Sequence, residues 1–288
     1  MRPPLIVVLC AVSLINTVSV GSFPTLLPEV AHTARLADWQ LGMFAGAYGF
    51  ARMIADLPAG LFIVRHLRAG FIAGPVVFSI GVAIVTVADS FAALFIGRAV
   101  MGIGHALNMV TGLTAILQAY GTRRLSLALK AYEFSAMIGM LSGAGLAALL
   151  PKDLSWQTVL LTSCAPQLVG YALVPVVLRG LPRHGEGGAI VTALPPGRTG
   201  TSALVYLAFA AGGATALTYA SVEQLELPIR GSREFGLDRA GIARLFMVMT
   251  ACDLAALIPL GLLADRTGSV RVLACSRVSR SRWLSAAR

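Results

Sequence analysis

Eight runs of about twenty mostly apolar residues, separated by short polar stretches, decide which solvent this chain folds in. They cover Leu5–Val30, Leu41–Ile63, Gly70–Val87, Phe91–Gln118, Leu127–Leu150, Gln157–Leu178, Ala203–Ser221 and Ile242–Leu263. A bilayer core of about 30 Å takes roughly 20 residues of helix at about 1.5 Å per residue. Inside hydrocarbon, only a helix or a closed barrel satisfies its own backbone hydrogen bonds, and runs this long and continuous predict helices. Composition agrees: 57% of the residues are hydrophobic and 12% charged, with a mean hydropathy of +0.79, whereas a soluble domain carries about 25% charged residues. The sequence therefore predicts an all-α integral membrane protein whose first partner is the lipid bilayer.

The run after Met1-Arg2-Pro3-Pro4 is longer than the apolar core of a cleavable signal, about 7–15 residues, and no small-residue cleavage site follows it, so it reads as a retained helix. Lys and Arg accumulate in short cytoplasmic loops. With the N-terminus inside, fourteen arginines from Arg2 to Arg288 fall on the cytoplasmic side. Arg35, Lys152, Arg230, Arg233 and Arg239 fall outside. Both termini are thus expected in the cytoplasm of a cell membrane. The net charge of +10 is accounted for by anionic lipid without nucleic acid. Cys10, Cys164, Cys252 and Cys275 have no metal or redox spacing, so no metal or cofactor is expected.

Shifting the chain by 201 positions lays "PAGLFIVRHLR" (Pro58–Arg68) on "PLGLLADRTGS" (Pro259–Ser269), with Gly60 on Gly261 and Arg65 on Arg266. Both copies close an apolar helix at its cytoplasmic end, which points to a duplicated protein. The longer stretch "GLLADRTGSVR" reads as a loop between helices and resembles the G-x-L-A-D-R-x-G loop of the major facilitator superfamily. "RAVMGIGHA", Arg98–Ala106, resembles that family's R-x-x-x-G-x-G element. In the first copy Val64 and Leu67 replace the family's Asp and second Gly, while Asp265 and Gly268 keep them. The antiporter-type glycine element is approximated by "GMLSGAG", which contains Gly139 and Gly143 but no proline.

The resemblance implies twelve helices in two six-helix halves, with a small-molecule substrate crossing between them by alternating access and no enzymatic chemistry. Eight of the twelve are present. We expect a six-helix bundle over residues 1–178, a cytoplasmic linker over 179–201, a partial second bundle over 202–273 and a disordered tail over 274–288. With no apolar span after Leu273, the chain reads as C-terminally truncated. A fragment unable to transport stays open beside a working carrier.

Ionisable side chains inside a membrane are costly and mark candidate function. Asp56 and Glu133 lie roughly 10 Å below the inner edge, and Arg98 about as far from the opposite face. Arg52 and Asp56 are spaced i,i+4 and can pair, either as a neutralised couple or as a titrating site. Arg98, Gly102 and His105 share one helix face, with Gly102 and Gly104 permitting close helix approach. Gly139 and Gly143 are expected to do the same. Lys130 can snorkel to the interface; Asp253 sits near mid-depth opposite Arg52 in the repeat. With no Walker loop, H-E-x-x-H or G-x-S-x-G present, energy is expected from an ion gradient. The expected function is proton-coupled efflux of small amphiphilic compounds, with import of an organic anion as the alternative. The oligomeric state is not set by the sequence.

Overall fold

The computed structural model describes residues 4–120, 122–181 and 219–267. Its elements are α1 (Pro4–Thr33), α2 (Asp38–Thr86), α3 (Phe91–Ala119), α4 (Thr122–Leu149), α5 (Trp156–Cys164), α6 (Pro166–Gly180), a π-helical segment (Tyr219–Glu226), α7 (Leu227–Phe235) and α8 (Arg239–Thr267). Among the described residues there is no strand. Among the described residues, five stretches are long and apolar enough to cross a membrane: α1, α2, α3, the Leu127–Leu149 part of α4, and α5 with α6. The last pair is one span interrupted at Pro166, which lacks an N–H; Ala165 between them keeps helical angles, so the axis continues.

α2 counts twice. Its 49 residues would extend about 74 Å at the helical rise, more than double a bilayer core. The helix breaks at His66 (φ −131°, ψ 45°), and the chain reverses there. A Cβ on Gly102 of α3 would meet Tyr48, and one on Gly104 would meet Phe78, so the two limbs of α2 lie level against the same stretch of α3. Beside the reversal, a Cβ on Gly70 would lie 3.2 Å from Ile63. The expected second and third runs are these limbs.

Shifted by 201 positions, His66 falls on Thr267, the last residue of α8. The helix runs through Gly261, Asp265 and Arg266, where the sequence suggested a loop. Leu, Ala, Asp and Arg are all tolerated in a helix, and no Pro or Gly intervenes between Gly261 and Thr267 to stop it. Gly60 and Arg65 likewise stand inside the first limb. Gly268, residues 182–218 of the expected linker and seventh run, and the 274–288 tail lie outside the described residues.

Two apolar clusters pack the bundle. At one end Phe23, Leu27 and Val30 of α1 meet Phe44, Phe78, Val85, Met101 and Trp156. At the His66 end Leu5, Leu9 and Val12 meet Ile63, Phe71, Ile116, Tyr132 and Val177. Between them α1 carries a buried polar belt of Ser13, Asn16, Thr17, Ser19 and Ser22. Thr17 Oγ1 donates to the Ser13 carbonyl (2.9 Å) in its own helix and to the Ala136 carbonyl of α4 (2.8 Å). α1 and α4 approach closely because a Cβ on Gly139 or Gly143 would strike the carbonyls of Leu14 and Val18. The chain's contacts divide at Phe246 into units Met1–Phe246 and Met247–Arg288. In the second, the described residues continue α8 to Thr267.

Candidate functional site

Arg98 lies inside the first unit with 2% of its surface exposed. Its guanidinium carbon sits 3.2 Å from the centroid of Phe23 (α1) and 4.4 Å from that of Tyr48 (first limb of α2). Two aromatic faces therefore hold the cation, each turning its negative quadrupole towards the charge. Gly102, four residues along α3, lets Tyr48 come this close, since a Cβ there would strike the Tyr48 carbonyl. The Tyr48 ring also stacks 5.5 Å from His105, which is 4% exposed, so Tyr48 joins the two basic residues. His105 Nδ1 and Tyr48 Oη are buried without a hydrogen-bond partner.

Arg52, one turn beyond Tyr48, is half-buried and Asp56 is exposed. The i,i+4 spacing allows them to pair, but among the described residues neither belongs to an ion pair. Arg preceding its acid is the weaker order for such a pair. Glu133 and Lys130 are exposed on α4. Asp253 is exposed and belongs to the second unit. The structure thus gathers Arg98, His105, Gly102 and, more loosely, Arg52 and Asp56 in the first unit, and leaves Glu133, exposed on α4, outside that group.

Sequence reasoning missed three features. Phe23 and Tyr48 read as ordinary span residues. Asn16 and Asn108 help line a cavity of about 10 Å³ beside Gly112, Tyr132 and Gly170, room for about one water. The third lies at the end of the bundle opposite His66. There Arg239, at the start of α8, meets Glu29 of α1 through Nε to Oε1 (2.7 Å) and Nη2 to Oε2 (2.6 Å). It also donates to the carbonyls of Pro151 (3.3 Å) and Leu154 (2.7 Å). Arg233 pairs with Asp38 at 2.7 Å, and Lys152 pairs with Asp238. Matching the acids to the bases assigned to one membrane face would have pointed to these pairs.

Lys152 and the Gly241 N–H hold Asp238 below the usual carboxylate range. Its contribution is present above the ordinary carboxylate pKa and is lost as pH falls through the lowered value.

The sequence pattern of the Major Facilitator Superfamily matches residues 9–274. This chain belongs to the major facilitator superfamily. It is 23% identical over 280 residues to an MFS-type transporter of Enterobacter sp. (strain 638), covering 94% of this chain and 69% of that protein. It is equally 23% identical, over 276 residues and with the same shares covered, to the MFS-type transporter YcaD of Salmonella typhimurium. Among solved structures it resembles a bacterial homologue of the human lysosomal transporter Spinster, with TM-score 0.66 and 17% identity over 92% of this chain and 63% of that one. It also resembles a D-xylose–proton symporter, with TM-score 0.63 and 12% identity over 91% and 68%. The chain spans under two thirds of the length of the Spinster homologue. This superfamily member is a multi-pass, all-α membrane protein.

Proposed function

We propose that this superfamily member acts as a proton-coupled secondary transporter in the cell membrane, with both termini cytoplasmic, exporting small amphiphilic compounds by alternating access. The observation that carries the reading is Asp56. It is a carboxylate in a membrane-spanning limb, exposed and outside any ion pair among the described residues, one turn from Arg52 and in the same bundle as the ring-held Arg98. A carboxylate at such depth is tolerated where it meets a water-filled path, and there it can exchange a proton with that path. Arg52, one turn away on the same limb, places a positive charge beside it, and Arg98, held by its two rings, is assigned the tuning of the site. Glu133 is the second candidate carrier and Asp253 the third. The similarity to a D-xylose–proton symporter supports a proton as the coupling ion.

Import of an organic anion is the second reading, favoured by Arg52 standing half-buried one turn beyond Tyr48, whose ring touches both Arg98 and His105. The test uses proteoliposomes holding a pH-sensitive dye, with this chain and with a version extended to its relatives' length. Asp56→Asn is expected to lower substrate-driven proton movement by about a hundredfold or more, the low end of the usual range for losing a positioned proton-transfer group. Proton movement unchanged in Asp56→Asn removes the assignment. Anion uptake that survives Asp56→Asn and fails in Arg52→Gln establishes the second reading.

A further inference from the structure

We propose that Glu29 and Arg239 form a clasp of fixed polarity that keeps the Glu29 end of the bundle closed, and that Arg239 is its positioning residue. Among the described residues, three ion pairs bridge this end. Two are open to water: the Lys152 and Asp238 side chains are 75% and 46% exposed, those of Arg233 and Asp38 55% and 78%. Pairs so exposed are screened and hold little. The Arg239 side chain is 4% exposed, and its guanidinium commits donors to three places at once: both oxygens of Glu29 and the carbonyls of Pro151 and Leu154. α1, the turn between α4 and α5, and the entry of α8 are thereby fastened by one side chain. Glu29 and Arg239, with Lys152 and Asp238, also line a cavity of about 500 Å³ that reaches down to Thr25, one turn below Glu29.

The two carbonyls make the clasp directional. An isolated ion pair works equally well with its charges exchanged. Here position 239 must carry a donor, because a carboxylate would face two carbonyl oxygens with no proton between them. Lysine also falls short: its compact ammonium cannot reach a bidentate carboxylate and two carbonyls in one plane.

The experiment reads closure directly. In a background with Cys10, Cys164, Cys252 and Cys275 replaced, Thr25→Cys supplies the reporter. Thr25 is 1% exposed and lines the cavity. A membrane-impermeant maleimide is offered to each face of vesicles in turn, without substrate. The parent should label slowly from both faces. Arg239→Lys should label about tenfold faster from the Glu29 face, as expected for loss of a buried, multiply bonded charge. Asp38→Asn should stay within about twofold of the parent, because its pair is exposed.

The deciding variant is the exchange Glu29→Arg with Arg239→Glu, expected to label at least as fast as Arg239→Lys. An exchange that restores the parent's slow rate overturns the proposal in favour of a plain ion pair, and a parent-like rate in Arg239→Lys overturns it altogether. Should these variants fail to elute as folded protein in detergent, the near-isosteric Glu29→Gln decides. Faster labelling in folded Glu29→Gln supports the clasp, and an unchanged rate overturns it. Labelling needs no substrate or coupling ion, so failure of the transport reading leaves this result intact, and offering both faces separates an opened mouth from an inverted topology.

Discussion

Arg98→Ala is expected to abolish transport and to lower the apparent melting temperature in detergent by roughly 10 °C, while Arg98→Met abolishes transport and melts within a few degrees of the parent. The alanine variant leaves a void between Phe23 and Tyr48, whose rings now approach the guanidinium carbon to 3.2 and 4.4 Å at their centroids. Emptying a site of that size in a packed interior costs about 3–5 kcal/mol, and lost cation–π contact adds about 2 kcal/mol where the charge is desolvated. Methionine restores length and apolar contact with both rings, and replacing a buried charge by a well-packed apolar side chain is often neutral for stability. Stability and transport should therefore separate in this pair of variants. A side chain held on both faces does not swing to meet a substrate, so its contribution is a fixed field, which only a cation supplies. Transport retained in Arg98→Met would remove Arg98 from the mechanism while leaving its packing role.

Gly143→Val is expected to remove nearly all folded protein from detergent extracts, whereas Gly46→Ala should be neutral or slightly stabilising. A Cβ at position 143 meets the Val18 carbonyl and lies 3.1 Å from the Ser22 nitrogen, both backbone atoms that cannot rotate away. α1 and α4 would have to part, which breaks the bonds from Thr17 Oγ1 to the Ala136 carbonyl and from Ser13 Oγ to the Tyr132 carbonyl. Overpacking costs about 1–3 kcal/mol and each lost hydrogen bond about 0.5–1.5 kcal/mol. The sum approaches a large share of the about 5–15 kcal/mol that holds a domain together. At Gly46 nothing stands within 4 Å of an added Cβ, and alanine is favoured over glycine inside a helix by about 0.5–1 kcal/mol. The yield and melting temperature of the two variants check the contrast; equal yields would show that the seam between α1 and α4 is not the close contact described.

The first six spans were legible because the bilayer imposes a length on them, and length survives in a one-dimensional reading. The reversal inside α2 was legible for the same reason: its limbs appear as separate apolar runs even though a single residue, His66, parts them. The face shared by Arg98, Gly102 and His105 followed from helical spacing. What surrounds that face did not, because Phe23 lies 75 positions from Arg98 and nothing in its neighbourhood sets it apart from other span aromatics. Glu29 and Arg239 are 210 positions apart, and α7, which ends just before Arg239, packs on α1 and brings them together. The i,i+4 rule named Arg52 and Asp56 as able to pair, yet spacing on one helix says nothing of what the rest of the bundle offers each side chain. The Gly261–Arg266 stretch shows the opposite limit: a pattern that resembles a loop motif contains residues that a helix accepts, and the helix takes them.

The turn at His66 leaves no polar connector of ordinary length between two crossings of the bilayer. Neither limb of α2 can be threaded into the membrane and left waiting while the other is synthesised, because the second begins as soon as the first ends. The pair enters the bilayer as one hairpin, with Arg65, His66 and Arg68 as its basic tip. A tag or a protease site spliced in at this point would interrupt biogenesis before it could report on the finished protein.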